Sequence, residues 1–250
     1  MTMEARFLTS PDYAALVKET DLALVPLGAV EVYGPHLPMG ADGIATEALA
    51  KRVAAEIPAI IAPLIPIGMS QSLSTHPGTL WVDRTALYAY VSGVARSLIL
   101  NGSRRILFLN GHAGNVQTVA DVCAALEAEF RAENVRCAQI DWWRFIQPLV
   151  EDMVEAEVLP HGHASEFGTS VMLAIAPEAV KADRLNISPA GKDAYTDFIK
   201  PRSRFPLGPT GMVGDARPGS VEKGEETLRR ATARVVQFLR SEDFAASSSK

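Results

Sequence analysis

Cysteine is nearly absent, with only Cys123 and Cys137 in a chain of 250 residues. Their spacing suits no zinc ligand set and Cys123 lies in an apolar helical pattern. Both are therefore read as reduced packing residues, and a disulfide scaffold is excluded. Long apolar runs are missing as well: none reaches the roughly 18 residues needed to cross a bilayer. The opening MTMEARFLTSPDY lacks the basic-then-apolar layout of a secretory signal, so a soluble cytoplasmic protein with no membrane partner is expected. Basic clusters are also lacking. With 24 Lys and Arg against 29 Asp and Glu, the formal net charge is −5 and no patch could neutralise phosphates. This argues against a nucleic-acid partner and for a small-molecule substrate. What is abundant is apolar residues, 48% of the chain, enough for one full-sized core. With no internal repeat and no interdomain linker, a single domain over residues 1–250 is expected.

β-type runs at 21–28, 59–68, 104–111 and 135–141 alternate with helical patterns at 43–56, 83–100 and 115–131. Several of the runs are apolar on both faces, as parallel strands covered by helices on both sides must be. The order βαβαβαβ predicts an α/β fold: a three-layer α/β/α sandwich with a mostly parallel central sheet, its loops gathered at the carboxyl ends of the strands. Asp83 is a cap candidate for the second helix, and Asn101-Gly102 is its stop signal. A further helix is expected at 166–176, then an irregular stretch over 187–219. An amphipathic helix capped by Ser220 follows, and the tail AASSSK is expected to fray.

Three loops hold four of the five histidines together with carboxylates. GAVEVYGPHLPMGAD, residues 28–42, carries Glu31, Tyr33, His36 and Asp42. In extended backbone Glu31 and Tyr33 share a face, and Gly34-Pro35 then turns the chain so that His36 and Asp42 fold back near them. LNGHAGN, residues 109–115, sets His112 between glycines at the entrance of a helix. PHGHASEFGTS, residues 160–170, holds His161, His163 and Glu166. Taken singly, each has a plain structural reading: Asp42 as a helix N-cap, Glu31 as a surface carboxylate, His112 bonded to loop carbonyls, His161 exposed, and His76 a turn residue. Their joint placement at element ends, on the side where an open α/β sheet places its ligands, points to a carboxylate–imidazole site for zinc, manganese or iron(II).

The same residues carry a resemblance. The segment PLGAVEVYGPHLPMGAD (26–42) resembles the P-x-G-x-x-E-x-H-G-P-H-L-P-x-x-x-D hallmark of the creatininase family of metal-dependent amidohydrolases. The PGT turn at 77–79, the NGH-x-x-N loop at 110–115 and the H-A-x-E-x-x-T-S segment at 163–170 match in family order. The resemblance implies a hydrolase of C–N or related bonds, in some relatives C–C bonds, with one or two divalent ions, Zn2+ or Mn2+ with Fe2+ also compatible, and a homo-oligomer, by family tendency a hexamer. It implies Glu31, Asp42 and His112 as metal ligands with Asp42 bridging to a second ion, Glu166 as a second-site ligand, and His163 as proton donor to the leaving nitrogen.

Departures qualify this. Tyr33 stands where the family has a histidine ligand of the second ion. The chain then uses a phenolate or water there, holds that ion weakly, works with one metal, or brings in His36. Gly114 and Gly168 stand where relatives carry glutamates. Leu159, Pro160 and Gly162 replace the Trp and acidic residues that grip creatinine, which implies another substrate. Pocket walls are expected from 69–76, 142–144 and the stretch after Asp183. Two other readings remain open at this point: a non-catalytic ligand-binding or assembly relative, and a mononuclear lyase or isomerase using Tyr33 as acid or base.

Overall fold

The computed structural model describes residues 3–188 and 207–245. Four strands, β1 (Leu22–Leu27), β2 (Ile60–Ile61), β3 (Arg105–Asn110) and β4 (Arg136–Asp141), form a parallel sheet in the order β2-β1-β3-β4. Side chains alternate between the two faces of a strand, and here both faces are covered. Ala23, Val25 and Leu27 of β1, with Ile106 and Phe108 of β3, pack against α1 (Ser10–Glu19), α3 (Arg84–Leu100) and α4 (Val116–Glu129). Leu22, Leu24, Leu107 and Leu109 face the opposite layer, built by α2 (Ala41–Glu56), α5 (Trp142–Val150), α6 (Glu166–Ile175) and α7 (Val221–Leu239). The three-layer α/β/α sandwich is thus the observed fold. Each fully buried Leu or Phe of these two interfaces contributes about 1.5–3 kcal/mol.

The expected caps are in place: Asp83 accepts from the Ala86 amide at 2.8 Å and Ser220 from the Lys223 amide at 3.3 Å. Several features differ from the sequence reading. The run at 59–68 yields only a two-residue strand, because Pro63 and Pro66 remove amide donors that a longer ladder needs. Helix α1, with Thr9 as cap and Pro11 in its first turn, and helix α5, which contains Pro148, had no expected counterparts. Helix α2 is capped by Gly40, so Asp42 lies inside its first turn and is not the N-cap. A short antiparallel pair, β5 (Ile187–Ser188) and β6 (Gly214–Asp215), falls within the stretch read as irregular. Much of that stretch, and nearly all of the AASSSK tail, lies outside the described residues. Among the described residues no helix is long and apolar enough to cross a membrane.

Strand order fixes where a ligand can enter. From β1 the chain crosses through α2 on one face to β2; from β2 and then β3 it crosses through α3 and α4 on the other. Connections therefore leave β1 and β3 in opposite directions and open a crevice beyond their carboxyl ends, the switch point of an open parallel sheet. The loops carrying Glu31 and His112 follow these two strands.

Candidate metal centre

Close backbone approach brings three elements together. A Cβ on Gly28 would lie 2.4 Å from Gly43 Cα, and one on Gly111 would lie 2.4 Å from the Asp42 carbonyl oxygen. Only glycine lets the first turn of α2 press against the ends of β1 and β3. The loop bearing His112 is pinned by two buried asparagines. Asn110 Nδ2 donates to the His112 carbonyl at 2.9 Å, and Asn110 Oδ1 accepts from the His112 amide at 3.2 Å. Asn115 Nδ2 donates to the Gly28 carbonyl at 3.1 Å, and its Oδ1 accepts from the Met69 amide at 3.0 Å. These bonds tie the loop after β3 to the end of β1.

The result is a buried cluster. His112 Nδ1 lies 3.3 Å from Glu31 Oε2 and 3.3 Å from Asp42 Oδ2. One donor atom from each residue falls within 4.8 Å of the others. Glu31 Oε2 is buried and, apart from the 3.3 Å contact with His112 Nδ1, makes no well-formed hydrogen bond, a costly state for a carboxylate oxygen. Two carboxylate oxygens and an imidazole nitrogen, buried and convergent, are the donor set of a zinc or manganese ion, so the residues fit a divalent cation. The far nitrogen, His112 Nε2, sits 3.4 Å from Ser70 Oγ, and Trp143 Nε1 donates to Asp42 Oδ1 at 2.7 Å. Partners of this kind orient ligating side chains.

Electrostatics record the same convergence. Burial pulls the His112 pKa down, but hydrogen bonds and charge from Asp42 and Glu31 outweigh it and hold the pKa at about 10. Burial raises Glu31, yet the imidazole brings its pKa below the ordinary value; burial keeps Asp42 above its own. A proton on His112 thus offsets part of the carboxylate charge that a cation would offset when bound. Tyr33 is pushed well above its ordinary pKa by burial and by the charges of Asp42 and Glu31, which keeps it a neutral phenol.

The other expected site residues are distributed as follows. His163 Nε2 lies 3.8 Å from Glu31 Oε1 and 2.8 Å from the Val32 carbonyl, with its ring 4.2 Å from that of Tyr33. His163 and Tyr33 therefore wall the cluster. His161 does not join it; its ring stacks on Phe167 at 5.0 Å, with Glu151 3.7 Å away. His76 is buried in its turn, where its amide donates to the Leu73 carbonyl. Glu166, fully buried at the start of α6, accepts from the amides of Glu155 and Ala156 and from Lys223 Nζ, and it does not join the ligand cluster. Lys223 had no signal in the sequence; Ser70 and Trp143 fell in the expected pocket walls, but nothing there pointed to their contacts with His112 and Asp42.

His36 is fully buried, with Nε2 2.9 Å from Thr169 Oγ1, and burial lowers its pKa to about 4. The unfolded chain takes up this proton below about pH 6.5, so between there and about 4 the unfolded state binds more protons. Stability contributed by neutral His36 is complete above that window and lost as pH falls through it. At ~1.4 kcal/mol per pH unit the full loss is about 3 kcal/mol. His36→Gln is expected to remove this share of the acid sensitivity, measured by urea unfolding at about pH 7 and about pH 5. An unchanged acid slope would exclude His36 as its source.

Comparison with known proteins agrees with the site. The creatininase (creatinine amidohydrolase) family profile matches residues 6–239. The creatinine amidohydrolase of Pseudomonas putida is 29% identical over 252 residues, covering 94% of this chain and 95% of that protein. The mycofactocin precursor peptide peptidase of Mycolicibacterium smegmatis is 31% identical over 215 residues, covering 82% of this chain and 78% of that one. A solved manganese creatininase superposes with a TM-score of 0.86 at 28% identity, covering 98% of this chain and 100% of that chain. With its sandwich fold and its cluster of two carboxylates and an imidazole at the switch point, the chain belongs to the creatininase family of metal-dependent hydrolases.

Proposed function

We propose that this protein hydrolyses the C–N bond of a small cyclic amide, a formamide or a short peptide, with Glu31, Asp42 and His112 as metal ligands and His163 as the proton donor. The observation that carries this reading is the buried Glu31 Oε2 converging with Asp42 Oδ2 on His112 Nδ1 beside the His163 ring. A divalent ion held there supplies Lewis acidity, activating water near neutral pH and polarising the attacked carbonyl. The remaining chemistry belongs to the chain. A departing amine needs a proton, and His163 is the imidazole nearest the cluster that is not aimed into it. Packing on Tyr33 fixes the plane of its ring. Tyr33 and Trp143, with ring centroids 6.1 Å apart, present an aromatic wall to a small substrate.

The names of two relatives, an amidohydrolase and a peptidase, favour amide over C–C cleavage. Leu159, Pro160 and Gly162 before His163 favour a substrate other than creatinine. In this reading the chain is one domain of a cytoplasmic homo-oligomer. His163→Ala is expected to keep wild-type metal content while turnover falls on the order of 100-fold. The check is elemental analysis with assays on lactams, formamides and short peptides after loading with zinc or manganese. Metal uptake without activity on any of these classes would overturn the substrate reading, and an unchanged rate in the variant would remove His163 from the mechanism.

A further inference from the structure

We propose that this chain holds a single divalent ion, on Glu31, Asp42 and His112, and that Trp143 and Tyr33 occupy the side of Asp42 from which a second ion would be bridged. The inference rests on the metal-dependent reading above and deepens it. A carboxylate commonly bridges two ions by offering one oxygen to each. Asp42 Oδ2 faces His112 Nδ1, but Asp42 Oδ1 accepts the indole N–H of Trp143 at 2.7 Å. An indole nitrogen is a donor only, so it takes one lone pair of that oxygen and offers a cation on that side no ligand atom of its own. Tyr33 is buried with its ring against those of Trp143 and His163, and the charge of Asp42 acts on its hydroxyl.

Several other donors for a second ion are engaged elsewhere or missing. Glu166 is neutralised by Lys223 and bonded to two backbone amides, and His36 Nε2 is paired with Thr169. Gly114, two residues beyond His112, has no side chain to offer. Among the described residues only Glu31, Asp42 and His112 bring acidic or imidazole donors into one cluster; Asp141, at the end of β4, lies outside it with both carboxylate oxygens buried and free of hydrogen bonds, Oδ2 3.5 Å from Arg144 Nε.

The test uses the full-length chain, stripped with a chelator, loaded with excess Mn2+ and desalted, with manganese counted per chain and the electron paramagnetic resonance spectrum recorded. One ion per chain with the hyperfine pattern of an isolated Mn2+ is expected. Two ions per chain with an exchange-coupled spectrum would overturn the proposal while leaving the hydrolase reading intact. No bound manganese or zinc at all would overturn both. The double variant Tyr33→His, Trp143→Phe frees Asp42 Oδ1 and adds an imidazole, and its count is expected to rise above one. A folded double variant that still held one ion would show that these two side chains are not what excludes the second.

Discussion

Asp42→Asn is expected to leave a folded protein that retains no bound metal and turns over on the order of 10³-fold or more slowly, given the several kcal/mol that a metal supplies. The direction follows from the two oxygens of this carboxylate. Trp143 Nε1 needs an acceptor and holds the amide oxygen of the substituted side chain at the Oδ1 position, which turns the amide NH2 toward His112 Nδ1 and Glu31 Oε2. A donor then stands where a ligand is required, and the cation loses both a charge and a coordinating atom. Folding should not suffer. Burial keeps the Asp42 pKa above its ordinary value, so the native state holds this charge at a cost that a neutral amide removes. Elemental analysis and thermal unfolding check both halves: wild-type metal content in the variant would reduce Asp42 to an acidic residue favouring the α2 N-terminus.

The features read most directly from the sequence are those with local causes. Continuous Val, Ile and Leu in 21–28 and 104–111 specify strands covered on both faces, and β1 and β3 are such strands. The caps at Asp83 and Ser220 are set by one side chain and an amide three residues on. Glu31, Asp42 and His112 were legible because glycines and prolines around them announced close backbone contact at the strand ends. What escaped has tertiary causes. Pro148 reads as a helix breaker, yet α5 survives because Trp142, Ile146 and Val150 are buried against the opposite layer. Trp143 reaches Asp42 across 101 positions of sequence. Glu166 has the type and spacing of a ligand, yet its carboxylate is bonded to Lys223 and to two backbone amides. Its partner Lys223 lies in the first turn of an amphipathic helix, where a lysine reads as solvated.

That pairing gives the second large effect. Lys223→Met is expected to lower the unfolding free energy by about 3–5 kcal/mol, the usual cost of stripping one partner from a buried ion pair. Glu166 is fully buried and Lys223 nearly so, and the pair joins the start of α6 to the start of α7. With the lysine gone, only the amides of Glu155 and Ala156 remain to solvate the carboxylate. The contact of Lys223 Nζ with Glu155 Oε1 at 3.1 Å adds little, because that carboxylate is exposed. The double variant Lys223→Met, Glu166→Gln is expected to recover most of the loss, since a neutral amide keeps an acceptor for the two N–H groups and carries no charge to strand. Urea unfolding measures both variants, with an unchanged m-value showing that stability rather than compactness has shifted. A loss under about 1 kcal/mol in the single variant would mean that the pair is effectively solvated. Metal content separates structure from ligation: the double variant should bind metal as the wild type does, because Glu166 holds two helices in place and does not reach the cluster. Loss of metal in that variant would instead place Glu166 among the ligands.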